Sequence, residues 1–235
     1  ALPISLRTLE LPAKDKQGKT IIAPNAGCHQ RIDLPNGNIL LPIRFWNDRK
    51  KQNYTSIVAR CRFDGETLTY LEHGSEHTIP EGRGLYEPSA IRHGDAFFLT
   101  MRADKAAYVA KSQDGLNYSK AKAWTFDDGE ALGSYNTQQH WLSLAGKLYL
   151  IYTRRGADND HIFRHRAPLF IAEVDPEALH DIRATEQILV PENGGTLGNS
   201  GVCHLNDKRA WLTVAEGSRP KAESNRLILA EISAE

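Results

Sequence analysis

The segment Glu87-Pro-Ser-Ala-Ile-Arg-His-Gly-Asp-Ala-Phe-Phe-Leu-Thr-Met-Arg102 sets two apolar runs on either side of His93-Gly94-Asp95. Gly and Asp suit the tight backbone of a hairpin turn, and the flanking runs suit strands, so this segment predicts a β-hairpin. Both outer ends of a hairpin emerge on one side. Glu87 and Arg102 are therefore presented together.

Comparable turns recur at Pro35-Asn36-Gly37-Asn38, at Ala145-Gly146-Lys147 and, with weaker chemistry, at Asn206-Asp207. Aligning on them divides the chain into units. The first has predicted strands at 28–34, 38–45, 54–63 and 67–72, and the second at 86–92, 96–102, 106–111 and 121–125. The third runs over 138–144, 147–154, 168–174 and 187–190, and the fourth over 200–205, 210–215 and 226–232. Helical periodicity is nearly absent. The one helix expected spans Pro176 to Ile182, with Asp175 as N-cap and proline in the first turn. Four-stranded antiparallel units repeating every ~40–50 residues fit the blades of a propeller. The expected fold is all-β, a β-propeller of about four blades over residues 1–235, either complete or part of a larger propeller. A β-sandwich is the alternative. Residues 4–11 are candidates for the missing outer strand of the last blade, or for part of a preceding blade.

Composition narrows the function classes. The 29 basic and 29 acidic side chains cancel, which argues against a broad nucleic-acid or anionic-membrane surface. No apolar run reaches the length of a bilayer span. The three cysteines, Cys28, Cys61 and Cys203, form no Cys-x-x-Cys pattern and are expected to be buried free thiols. No phosphate loop, zinc signature or dinucleotide motif is present, so no cofactor or metal is expected. Met101 is the only methionine, so Ala1 is not a translation start. A removed signal peptide and a secreted or periplasmic location are compatible with this, and a cytoplasmic one stays open.

Equivalent positions of the units carry the functional signal. Counting 15 residues along each hairpin links His29 to Arg44, Glu87 to Arg102, Gln139 to Arg154 and Gly201 to Glu216. In a propeller these ends meet near the central axis on one face. Arg44, Arg102 and Arg154 are thus expected to converge, with Glu216 facing them. Arginine grips carboxylates through a planar fork of donors, so such a ring predicts an acidic ligand. Solvated strand ends are the plainer explanation for any one of them.

Ser112-Gln-Asp-Gly-Leu-Asn-Tyr118 resembles the Asp-box of sialidase-like propellers, one residue shorter than its usual form. Gly27 to Arg44, Tyr86-Glu-Pro-Ser-Ala90 and Asn136-Thr-Gln-Gln-His-Trp141 are also similar to bacterial members of that group. The group includes hydrolases of acidic sugars and lyases that cleave next to uronic acids. The resemblance implies three arginines on the substrate carboxylate, matched by Arg44, Arg102 and Arg154. It also implies a tyrosine nucleophile assisted by a glutamate, for which Glu87 with Tyr86 or Tyr135 are the candidates. Its Asp-boxes are structural turns, so Ser112 and Asp114 are not catalytic candidates.

Two chemistries follow. For hydrolysis, Glu87 serves as base toward a tyrosine or water while the arginines hold an anionic sugar. For β-elimination, His29 removes the proton beside the uronate carboxylate, and Tyr86 or Tyr135 protonates the leaving oxygen. Gln139 and Asn199 suit hydroxyl recognition. The insertion Arg155 to Arg166 leaves the repeat and is expected on the arginine face, where His161, Arg164, His165 and Arg166 are candidates for contacting an acidic glycan. The expected partner is an acidic oligosaccharide or polysaccharide, acted on by an enzyme or bound by a non-catalytic propeller. Self-association is expected if the propeller is incomplete.

Overall fold

The computed structural model describes residues 7–27, 29–217 and 225–234. Among the described residues, seventeen strands fall into four antiparallel sheets arranged as a four-bladed β-propeller. The first sheet is built from β1 (Ile22–Asn25), β2 (Ile32–Asp33), β3 (Asn38–Trp46), β4 (Tyr54–Phe63) and β5 (Leu68–His73), with β1 and β2 both paired to β3. The second runs β6 (Tyr86–His93), β7 (Ala96–Arg102), β8 (Tyr108–Ser112), β9 (Lys122–Ala123). The third contains β10 (His140–Leu144), β11 (Lys147–Tyr152), β12 (Leu169–Asp175), β13 (His180–Asp181) and β14 (Gln187–Val190). The fourth has β15 (Thr196–Asn206), β16 (Arg209–Gly217) and β17 (Arg226–Ser233).

Apolar layers join successive sheets. Leu40 and Val58 pack with Leu85, Ala90 and Leu99 between the first and second sheets. Phe98, Trp124 and Trp141 pack with Leu150 and Tyr152 between the second and third. Leu142, Leu144 and Ile151 meet Leu197, Leu212 and Val214 between the third and fourth. A sheet covered on both faces needs apolar residues throughout, and one covered on a single face needs alternation. β7 accordingly reads Ala-Phe-Phe-Leu-Thr-Met-Arg and is buried from Phe97 to Arg102. β16 alternates exposed and buried positions, and Trp211, Leu227 and Leu229 stay exposed on the outer face of the last sheet.

Residues 7–11 do not extend the last sheet. Arg7 donates to Thr67 Oγ1 at 2.8 Å and Glu66 Oε2 at 3.2 Å, while Leu9 and Leu11 pack against Ile43, Phe45 and Ile57. Apolar cover for the free face of the first sheet decides its position; residues 4–6 lie outside the described residues. The expected helix at 176–182 is also absent. Asp175 Oδ1 accepts from the Glu177 and Ala178 N–H groups at 2.8 Å, as an N-cap does. The chain then reverses through Leu179 at φ +58° into β13, so the cap closes a turn. Cys61 is buried and free as expected, whereas Cys203 is exposed on the outer sheet. Cys28 lies outside the described residues. Among the described residues no helix is long and apolar enough to cross a membrane.

The turn after β8 is locked by its own polar groups. Asp114 Oδ1 accepts from Ser112 Oγ and from the Leu116 and Asn117 N–H groups at 2.7–2.8 Å. Gly115 has φ +75°, and a Cβ there would lie 2.4 Å from Leu40 Cδ1, so glycine is required. Partial burial opposes the Asp114 charge, but the Asn117 and Leu116 donors win and hold its carboxyl well below its usual range. A depressed carboxyl stabilises the fold above its unfolded pKa and loses that contribution as pH falls. Asp114→Ala should therefore cost about 1–2 kcal/mol near neutral pH. In urea unfolding, the gap from wild type should close as pH drops below ~4.

Candidate functional site

The inner strands β6 and β10 and the loop before β2 meet at the axis. Gln30 fixes their relation. Its Nε2 donates to Trp141 O and its Oε1 accepts from Trp141 N, both at 2.9 Å, while its own carbonyl accepts from Ala90 N at 2.9 Å. His29 and His140 are the residues just before Gln30 and Trp141. His29 Nδ1 lies 2.9 Å from Pro42 O. A carbonyl only accepts, so Nδ1 carries the proton and Nε2 is a bare acceptor, buried and without a partner. Burial lowers the His29 pKa, against the carboxylate of Glu87, and so favours the neutral ring. Burial likewise pushes His140 down to about 4, and its Nε2 is also unpartnered. His140, missed in the sequence, takes the axial place that Gln139 was expected to hold.

Glu87 heads β6 in the left-handed region, at φ +48°. A β-bulge there lets the carboxylate turn toward Arg102, whose Nη1 it meets at 2.5 Å. Arg102 Nη2 also donates to Asn136 Oδ1 at 2.8 Å. The Tyr86 ring has guanidinium carbons 4.7 Å (Arg83), 4.9 Å (Arg102) and 6.0 Å (Arg44) from its centroid. Its hydroxyl donates to Asp104 Oδ1 at 2.7 Å and accepts from Arg83 Nη2 at 2.7 Å. Burial pushes the Tyr86 phenol far above its ordinary value. The hydroxyl is thus engaged and held protonated, so Tyr86 serves as an aromatic platform in place of the expected nucleophile or acid.

The expected arginine trio does not assemble. Arg44 and Arg102 each lie six positions beyond the first residue after their turns, Asn38 and Ala96. Arg154 and Glu216 lie seven beyond theirs, Lys147 and Arg209. One residue along a strand reverses the face, so Thr153 and Ala215 occupy the register of Arg102. Arg154 instead packs 4.9 Å from the Phe170 ring and makes a bidentate pair with Glu186, Nε–Oε1 at 2.8 Å and Nη2–Oε2 at 2.7 Å. Glu216 pairs with Arg226 across β16 and β17, Nε–Oε2 at 2.7 Å. Gln139 is buried, bonded to Thr100, Ser134 and Thr137.

Arg166, from the end of the insertion, joins the cluster instead. Its Nη2 donates to Asn136 O at 3.3 Å. Burial, then the Arg102 and Arg164 charges, lower its pKa, while Glu87 and Tyr86 act the other way. In the same loop His165 Nδ1 lies 2.6 Å from Tyr135 Oη, on the connection between β9 and β10, and His165 Nε2 lies 3.1 Å from Asp160 Oδ1. Arg164 stacks on the exposed Phe163 ring at 4.9 Å. Phe163, Arg166, Glu216 and Arg226 border a cleft of about 860 Å³ between the insertion and the fourth sheet. Among the described residues no cluster of three or more His, Cys, Asp or Glu side chains could hold a metal ion.

No family model matches the chain, and no curated protein matches it in sequence. Solved structures share its fold. A Dyadobacter fermentans protein of unknown function aligns with TM-score 0.64 at 16% identity, covering 88% of this chain and 53% of that one. A Trypanosoma rangeli sialidase in complex with the inhibitor DANA aligns with TM-score 0.63 at 16% identity, covering 94% and 34%. A Bacillus halodurans xylan beta-1,4-xylosidase gives 0.54 at 11%, covering 87% and 39%. The chain thus spans about half the length of the first, about a third of the second and about two-fifths of the last. At these identities the likeness establishes the propeller fold alone.

The register predicts different consequences for the two kinds of arginine. Arg154→Met strands Glu186 in a half-closed site and should cost about 3–5 kcal/mol in urea unfolding. Arg44, which has no ion pair among the described residues and rests on Tyr54 at 4.6 Å, should cost less than half of that as Arg44→Met. Equal losses would contradict the assignment.

Proposed function

We propose that this propeller is the working module of a carbohydrate-active enzyme that hydrolyses a glycosidic bond next to an acidic sugar. The charge balance around Tyr86 carries the reading. Arg44, Arg83, Arg102 and Arg166 gather there against the carboxylates of Glu87 and Asp104. Two positive charges are left over, in a setting that already disfavours the Arg166 charge. A ligand carboxylate supplies the missing negative charge and a planar acceptor for the guanidinium forks. Arg44 and Arg102 are its proposed primary contacts, with Arg166 on the insertion side. Arg154 and Gln139 have their polar groups engaged elsewhere, and Glu216 is an anion paired with Arg226, so we leave them out of the set that binds the carboxylate.

Glu87 is the proposed general base. Ion-paired with Arg102 at 2.5 Å, it is a carboxylate ready to accept a proton from an attacking water. A sialidase and a xylosidase among the structural neighbours support a sugar ligand, and the cationic excess favours the acidic kind over the neutral kind. His29 supports a second reading. A neutral, buried imidazole with a bare Nε2 beside Glu87 and Arg44 is suited to removing the proton next to a uronate carboxylate, which would make the reaction a β-elimination.

Incubation with sialosides, uronic-acid glycans and neutral xylo-oligosaccharides tests both. Hydrolysis should release an acidic sugar without ultraviolet absorbance, and Glu87→Gln should lower kcat by about 10²–10⁴-fold. Arg102→Lys should raise KM for the acidic substrate, because a point charge replaces the fork. An ultraviolet-absorbing unsaturated uronate, lost in His29→Ala, would select elimination. Turnover confined to the neutral sugars, or none at all, would overturn the acidic-sugar reading.

A further inference from the structure

The insertion reaches Tyr135, on the connection between β9 and β10, through a chain of polar contacts. Tyr135 Oη, His165 and Asp160 are linked in sequence at 2.6 Å and 3.1 Å. Arg155 places its guanidinium carbon 4.5 Å from the Tyr135 ring centroid, and its Nη2 is anchored on Lys105 O at 2.5 Å. The backbone is strained where the chain is held. Arg164 and His165 are both left-handed, at φ +56° and +51°, and Asn136 beside Tyr135 is at +54°. Two successive non-glycine residues in that region are costly and persist only where the surroundings impose them. Here the strain presents the His165 ring to Tyr135 while Arg166, the next residue, reaches the mouth. Tyr135 is likewise the residue before Asn136, which accepts from Arg102 and Arg83. Two of the linked residues are thus chain neighbours of residues at the arginine mouth, Tyr135 of Asn136 and His165 of Arg166.

We propose that Tyr135 is the proton donor to the leaving oxygen, with His165 and Asp160 as its positioning residues. This rests on the reading above that an acidic glycoside is cleaved here. As the bond between carbon and the leaving oxygen breaks, its electron pair stays on that oxygen, which takes the Tyr135 hydroxyl proton. The phenolate recovers a proton from solvent through His165 Nδ1, Glu87 returns to solvent the proton it took from the attacking water, and Asp160 accepts from His165 Nε2–H throughout. The groups facing this relay are the Arg155 guanidinium over the phenol, Asp160 on the imidazole, and Arg164 and Arg166 on either side of His165 in the chain. The arginines favour the transient phenolate. Glu87 and Tyr135 thereby divide the work, the carboxylate accepting a proton and the phenol giving one.

Sensitivity to the leaving group separates this role from a structural one. A poor leaving group needs a proton from the enzyme, and a nitrophenolate does not. The probes are methyl and nitrophenyl glycosides of sialic acid and glucuronic acid. In Tyr135→Phe, kcat on the methyl glycoside should fall by about 100-fold or more, with the nitrophenyl glycoside losing less than about 10-fold and KM little changed. His165→Gln should repeat the pattern more weakly, which keeps the test valid if Tyr135→Phe fails to fold. Asp160→Asn should lose least, because its carboxylate is almost fully exposed. Equal losses on both leaving groups, or losses confined to KM, would overturn the proton-donor role while leaving the acidic-glycoside reading intact. If the wild type cleaves none of the probes, that reading fails and the relay proposal fails with it.

Discussion

The amide of Gln30 holds the axis together. It reproduces a backbone strand pairing with one side chain, donating to and accepting from Trp141 across the gap between the first and third sheets. Its own backbone carbonyl receives Ala90 N from the second. One residue thus fixes three inner segments at separations set by hydrogen bonds. Each brings an ionisable neighbour: His29 precedes Gln30, His140 precedes Trp141, and Glu87 lies three residues before Ala90. Trp141 adds a second anchor, its Nε1 donating to Ser89 O at 3.0 Å beneath Glu87. Buried amides without partners are costly, so the clamp tolerates little drift. The axial chemistry inherits that rigidity.

Gathering cations in a partly buried mouth is unfavourable unless something offsets it. The Tyr86 ring does part of this by offering its π-face to three guanidiniums, and Asp104 does more by engaging Arg83 and the Tyr86 hydroxyl together. What remains is a surplus of charge and a set of strained backbones, at Glu87, Asn136, Arg164 and His165. Each such residue costs of order 1–3 kcal/mol and gives the fold nothing in return by itself. Four of the nine left-handed non-glycine residues among the described residues lie beside these charges. Such a distribution fits a site shaped for a ligand better than one shaped for stability.

The propeller was legible because strand period and turn chemistry are local. The Asn36-Gly37 and His93-Gly94-Asp95 turns and the apolar runs beside them are enough to place the hairpins, and the observed strands β3, β4, β7 and β14 start at the expected residues. The site was only half legible, for a reason of one residue. Gly94 is the first turn residue of its hairpin and Gly146 the second, since His93 pairs with Ala96 and Leu144 with Lys147. Aligning glycine with glycine therefore slipped the third sheet by one position and sent Arg154 to the wrong face. Counting from the paired residues instead would have exposed the slip. Arg166 was expected on the arginine face with the rest of the insertion, whereas Gln30 and Asn136 were beyond reach in another sense. Their roles depend on contacts between segments more than thirty residues apart or on an irregular loop, and neither leaves a periodic trace.

Two tyrosines competed for the chemical role in the sequence, and their surroundings separate them. Tyr86 lies under three guanidiniums with its hydroxyl pinned between Asp104 and Arg83, so losing its proton would first mean breaking that arrangement. A phenol fully engaged in the scaffold has no free valence for a substrate. Tyr135, on the connection between β9 and β10, has one hydrogen-bond partner for its hydroxyl among the described residues, His165 at 2.6 Å, and that histidine stands on the insertion that departs from the repeat. Rigid blades hold the charges still, and the loop supplies the group that must change its protonation. The division follows from topology: an inner strand position is buried on both faces, whereas the insertion between β11 and β12 is free to bring a titratable side chain to the mouth without disturbing a core.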